Sequence, residues 1–403
     1  MRGKVKVWNR IFRYDICYDV PTILFFAGFF LHEISVIMDT SMWSFSESDQ
    51  LTPLGFFAKI IRFTAYGLLA AKILYECKIG NRNIIFVYMT VGIIGLSFIS
   101  SKNATIVFYL LIMIATLGIS DKTVLSASII AQSFMLIMTV GAAAVGIIEN
   151  VIRDDDNRVR HFLGFEWTTT GPIIFLFIVF QFIYLKEGRL NILNYMILNV
   201  INVIFFIYTD SRMVFATILG ATTFFLIFGV ACKKGRIVRW LKWIFFMIPW
   251  ALAGLSIYFQ KIYNEHNKLF FRANKLLSGR LGLGHNAIKE MGIHLLGRKV
   301  KWVGNGIGDI AAGDYNYVDN SYLQLTLEYG LIFLVLLLAI YSVIMYKAYK
   351  SKKYYAVWIV IFILIFGITE PRLFNLAYNP FILLAFSFMG NAAVKKTNKI
   401  NKM

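Results

Sequence analysis

Near the end of the chain, Asp319, Asn320, Gln324 and Glu328 precede a leucine-rich run, in "YNYVDNSYLQLTLEYGLIFLVLLL" (315–338). Asn320, Gln324 and Glu328 recur at i, i+4 and i+8, so on a helix they form one polar stripe. Asp319 or Asn320 can cap that helix. Capping does not account for Gln324 and Glu328, and the stripe therefore predicts a wet cavity among the helices.

Other ionisable groups stand in apolar surroundings, where each costs about 2.5–3.5 kcal/mol on insertion scales and so becomes a functional candidate. They are His32, Glu33, Lys59 and Arg62. Glu33 and Lys59 sit at similar depths of two neighbouring spans and can pair. Alternatively Lys59 and Arg62, sharing a face at i, i+3, line an anion pocket. In "YTDSRMVF" (208–215) Arg212 sits at a tight turn beside a helix start, with Thr209, Asp210 and Ser211 as possible caps. Guanidinium and helix dipole both favour an anion there, unless Arg212 snorkels to lipid headgroups. Glu370 and Arg372 in "TEPRLFN" (369–375) are either a structural pair at a proline turn or a further part of a binding site.

These residues must be held by a membrane fold. The chain is 58% hydrophobic and only 16% charged, where a soluble protein carries about a quarter charged residues. The apolar residues come in runs of about 20, the length that crosses a bilayer. We expect an all-α polytopic membrane protein with twelve spans: 20–38, 54–75, 84–100, 104–120, 123–149, 167–185, 191–208, 213–232, 240–260, 322–346, 354–370 and 379–391. Three parts follow: nine spans over 1–260, one large loop over 261–321, and three spans with a basic tail over 322–403. Lys and Arg gather in the N-terminus, "KKGRIVR" (233–239), "KAYKSKK" (347–353) and the C-terminal "KKTNKINK". By the positive-inside rule these are cytoplasmic, so both termini lie inside and the large loop outside.

That bias explains most of the net charge of +19, which points to anionic lipid headgroups and away from nucleic acid. Cys17, Cys77 and Cys232 fall at expected cytoplasmic ends and should be reduced thiols. The large loop is itself basic, through Lys268, Arg272, Lys275, Arg280 and others; this is either tolerated on translocation or a surface that meets an anion. Its "HNAIKEMGIHLL" (285–296) reads as a helix and its "GNGIG" (304–308) as a turn. That turn has no preceding strand and lies outside, so nucleotide binding is not expected. No metal-ligand cluster, HExxH or GxSxG elbow is present, and neither cofactor nor metal is expected.

Several of these pieces, in this order, resemble the Wzy-type polysaccharide polymerases, which form one membrane superfamily with the O-antigen ligases. The matching segments are "TDSR" (209–212), "LSGR" (277–280), "LLGRKVKWVGNGIGD" (295–309) and "VDNSYLQLTLEYG" (318–330). The resemblance covers about 190–385 by pattern and the rest by topology; Gly284 departs from it, where the family often has Trp.

It implies a GT-C-like fold and a metal-independent glycosyltransferase using an undecaprenyl-diphosphate-linked oligosaccharide at the outer face of the cytoplasmic (inner) membrane. By the same resemblance Arg212 and Arg280 neutralise the leaving diphosphate. Asp319 is the general base or orients the acceptor, and Lys59, Arg62, Asn320, Gln324, Glu370 and Arg372 are candidates for holding substrate. A flippase and a chain-length regulator of the same pathway would be partners. The alternatives are a ligase of the same superfamily, where a His tends to stand at the Asp319 position, and a flippase or permease for lipid-linked sugar.

Overall fold

The computed structural model describes residues 19–44, 52–76, 84–155, 158–240, 242–307 and 315–389. The basic N-terminus and C-terminal tail, Cys17, Cys77 and the end of the 304–308 turn lie outside the described residues.

Local chemistry sets the helix starts. Asp19 caps α1 (Val20–Asp39), Thr52 caps α2 (Pro53–Tyr75) and both helices have a proline in the first turn. After α3 (Ile84–Ser101) and α4 (Thr105–Ala115), Ser120 caps α5 (Asp121–Ala144). A hairpin of β1 (Ile152–Asp155) and β2 (Arg158–His161) leads into α6 (Thr170–Leu185). Then come α7 (Ile192–Thr209), α8 (Arg212–Lys234), the short α9 (Arg236–Trp240) and α10 (Lys242–Lys261). The connection beyond carries α11 (Lys268–Leu276), α12 (Arg280–Met291) and α13 (Ser321–Tyr329). The chain continues through α14 (Leu331–Lys350), α15 (Tyr354–Phe366) and a closing helix, α16 (Pro380–Met389).

Among the described residues, eight helices are long and apolar enough to cross a membrane: α1, α2, α3, α5, α7, α8, α10 and α14. The chain is thus a mostly helical, polytopic membrane protein. The other four expected spans correspond to shorter apolar helices, α4, α6, α15 and α16. Their placement explains their character. A helix apolar on every side belongs in the interior, and α6 buries 14 of its 16 residues and α15 buries 10 of its 13. The peripheral α7 buries only Leu198, Asn202, Phe205 and Thr209, leaving Ile192, Leu193, Val200 and Ile207 on the surface, as lipid contact requires.

The expected span 322–346 is two helices. Gly330, at φ +93°, breaks it, because the chain at 294–298 crosses there: Leu331 N donates to His294 O (3.0 Å) and Arg298 N to Glu328 O (3.1 Å). A side chain at 330 would meet both the left-handed backbone and this crossing segment. Every residue of α13 is buried. The polar stripe faces protein partners: Glu328 accepts from Asn103 Nδ2 (2.7 Å) and Trp302 Nε1 (2.9 Å), and Asn320 donates to Ser256 Oγ (2.6 Å) and Ile368 O (2.7 Å). Asn320 is also the cap, accepting from Leu323 N at 3.0 Å.

The pairing of Glu33 with Lys59 does not form. Glu33 is fully buried against α5, where Ser128 Oγ donates to it at 2.6 Å, while Lys59 is exposed on α2. Arg62 instead pairs with Asp39 and donates to Ser35 O at 3.2 Å.

Candidate functional site

Three connections converge at one end of the bundle. Arg280 is the first residue of α12, after a left-handed Gly279. Its Nε lies 3.5 Å from Asp319 Oδ2 and its Nη2 3.4 Å from Glu370 Oε1. Asp319 is held by the turn that starts α13, where Asn320 N donates to Val318 O (2.8 Å). Glu370 is fixed by its own carbonyl, which accepts from Ser321 Oγ (2.5 Å) and from Arg372 N (3.0 Å). The Arg372 guanidinium stacks 4.9 Å from the centre of the Tyr378 ring. Gln132 of α5 anchors that ring's backbone: its Nε2 donates to Ala377 O (2.9 Å) and Tyr378 O (3.1 Å), while its Oε1 accepts from Gln181 Nε2 (2.8 Å). A buried amide network within the spanning helices thereby sets the position of an arginine in a loop.

The hairpin supplies two more cations. Its antiparallel register sets Arg153 directly opposite Arg160, and both line the same cavity. Arg153 also donates from Nη1 to Asn305 O at 3.4 Å, beside the same cavity. The cavity encloses about 130 Å³ of solvent-accessible space among Arg153, Arg160, Arg280, Arg372, Asp319 and Glu370. Trp167, Tyr315 and Tyr317 complete the wall. The ring of Trp167 lies 5.2 Å from that of Tyr317, and the turn at 304–306 packs closely against the indole. A Cβ at Gly306 would come 2.7 Å from Trp167 Nε1, and one at Gly304 would collide with the ring. Gly304 and Gly306 are there for the close approach of backbone to indole.

Both carboxyls lie in connections outside the spanning helices. Burial raises Asp319 above the ordinary carboxylate value, with Arg280 and Arg372 pulling the other way. Burial, together with repulsion from Asp319, pushes Glu370 up to about 7. Two carboxyls around one guanidinium, with buried Nε groups of Arg280 and Arg372 that have no hydrogen-bond partner among the described residues, make a site that can hold an anion and accept a proton.

A second cavity of about 470 Å³ adjoins the first and is apolar, lined by Phe259, Leu269, Phe270, Ala273, Leu277 and Leu281 among others. Arg280 lines both. Asn320 borders the apolar one.

Of the residues singled out from sequence, the fold brings together Asp319, Arg280, Glu370 and Arg372. Gln324 is buried behind them in α13, next to Tyr317. Arg212, Lys59 and Arg62 line neither cavity. Arg212 is exposed and bonds to Asp210, which also pairs with Arg158. Sequence reasoning missed Arg153, Arg160, Trp167, Tyr315, Tyr317 and Gln132. The hairpin had a signal: "RDDDNRVR" (153–160) places turn formers between charged residues at strand spacing. Gln132 had none beyond being an amide in an apolar span. Comparison with protein-family models, curated proteins and solved structures finds no match for this chain.

Proposed function

We propose that the protein is a polysaccharide polymerase that joins oligosaccharide repeat units carried on a polyprenyl diphosphate, acting at the outer face of the cytoplasmic membrane with both termini inside. The observation that carries this reading is the position of Arg280 on the wall between an apolar cavity and an arginine-lined one. A lipid diphosphate has the same two-part chemistry: a hydrocarbon chain and a polyanion joined at one point. The chain fits the apolar side, the diphosphate meets Arg280 and Arg372 with Arg153 and Arg160 nearby, and the sugars extend along the aromatic wall.

In the reaction a hydroxyl oxygen of the acceptor sugar attacks the anomeric carbon of the donor. The bond between that carbon and the diphosphate oxygen breaks, and its electron pair leaves with the lipid diphosphate. Arginines neutralise the charge that develops there, and they do so bidentately while staying protonated. Asp319, 3.5 Å from Arg280, takes the hydroxyl proton. Glu370 tunes the charge around Arg280.

The test is the purified protein in vesicles with a synthetic polyprenyl-diphosphate oligosaccharide as sole substrate. A ladder of products lengthening by whole repeat units supports the polymerase. A single transfer, only when a different acceptor is added, makes it a ligase. Movement of the lipid-linked sugar between leaflets with no new glycosidic bond makes it a transporter and ends the proposal.

A further inference from the structure

The connection after α10 contains a helix that the described residues leave largely uncovered. No residue of α11 is buried: Leu269 is 77% exposed, Leu276 84% and Phe271 58%. Its sequence, "KLFFRANKL", is strongly two-sided. At 100° per residue Lys268, Arg272 and Lys275 fall on one ridge, and Leu269, Phe270, Ala273 and Leu276 occupy the arc beside it. Nine residues are too few for a stable helix in water without a surface to pack on.

Its height along the bundle follows from its neighbours. Leu269, Phe270 and Ala273 share the apolar cavity with Ser256, Phe259 and Gln260, which lie in the last two turns of the spanning helix α10. Asn274 Nδ2 donates to Tyr263 Oη at 3.1 Å, and the Phe270 ring lies 5.9 Å from that of Tyr263, two residues past the end of α10. Helix α11 is therefore tied to the level at which a span leaves the hydrocarbon. Tyr258, Phe259 and Ile262 are exposed at that same level, where aromatic side chains favour the interface.

We infer that α11 lies in the membrane–water interface, with Leu269 and Leu276 in the acyl layer and Lys268, Arg272 and Lys275 on the headgroups of anionic phospholipids. Basic residues on the polar face with Leu and Phe on the other are what binds a helix in the plane of a bilayer. The occupant is the lipid surface itself: the helix is fixed at bilayer height and its charge complements anionic headgroups. The mouth of the apolar cavity then opens sideways into the leaflet on that side. The inference concerns the resting protein and stands whether or not the proposed reaction is correct.

The test uses the full chain without its native cysteines (C17S, C77S, C232S), carrying Leu269→Cys, Leu276→Cys or Arg272→Cys with a nitroxide. Each is placed in vesicles of phosphatidylcholine with and without phosphatidylglycerol. Expected are labels at 269 and 276 that collide preferentially with membrane-dissolved oxygen, and a label at 272 that collides preferentially with a water-soluble nickel chelate. Adding phosphatidylglycerol should strengthen the oxygen preference at 276, and K268Q/R272Q/K275Q should abolish that gain. Nickel preference at all three positions would overturn the interfacial placement. So would spin–spin broadening between labels of two molecules, which would make a second copy the occupant. Indifference to phosphatidylglycerol would overturn the headgroup contact.

Discussion

Arg212 and Arg280 begin their helices alike. Each is the first helical residue, each follows a serine by one or two positions, and each sits at the end of the bundle where the hairpin and the long connection meet. Their surroundings differ. The Arg212 side chain is 67% exposed and its partner is Asp210, two residues away. The Arg280 side chain is 18% exposed and its partners are distant in the chain, Asp319 from the start of α13 and Glu370 from 90 positions away. An arginine at a helix start becomes a site only when distant segments wall it off from water, because screening by water removes most of what a charge can do. The comparison therefore separates residues that a short motif treats as equivalent.

The sharpest way to break it is at the carboxylate. Asp319→Asn keeps size and turn-forming ability but cannot take a proton. General-base catalysis contributes typically 10²–10⁴-fold, so glycan elongation should fall at least about a hundred-fold at matched protein level. A fully active Asp319→Asn protein would leave Asp319 a structural group. Arg280→Lys keeps the charge and loses the fork between the two carboxyls. Charge-assisted bonds are worth about 1.5–3 kcal/mol, hence a loss of roughly ten- to hundred-fold in elongation rate.

Glu370 sharpens the comparison through pH. With its carboxyl at about 7, raising the pH through that value ionises it. The new carboxylate competes with the diphosphate for Arg280 and Arg372, so KM for the lipid-linked donor should rise above neutrality. Glu370→Gln should flatten that dependence. An unchanged KM profile in Glu370→Gln would remove Glu370 from the anion site. The smallest effect is expected at Arg212→Lys. An exposed pair is worth about 0.2–1 kcal/mol, so elongation should change by less than about fivefold. A loss there as large as that of Arg280→Lys would mean that Arg212 reaches the substrate after all and the contrast is false.

The membrane character and nearly all the helices were legible in the sequence, because hydrocarbon thickness and backbone hydrogen bonding leave few options for an apolar run. The cap at Asn320 was equally local, as it needs only its own next turn. Three site residues, Asp319, Glu370 and Arg372, could be picked out as polar groups beside or within spans, and Arg280 through the family-like "LSGR" (277–280) in the large loop. Periodicity could not say which of the twelve apolar segments lie inside the bundle, since α6 and α7 are both apolar and only packing separates the buried one from the lipid-facing one. Nor could it foresee the break at Gly330, which depends on the segment arriving from 294–298. The pairing of Arg62 with Asp39, the burial of Glu33 against Ser128, the exposure of Arg212, and the meeting of Arg153 and Arg160 with Arg280 were all decided by tertiary structure. Charge and spacing are properties of a segment, whereas desolvation and proximity arise only when separate segments close around the same space.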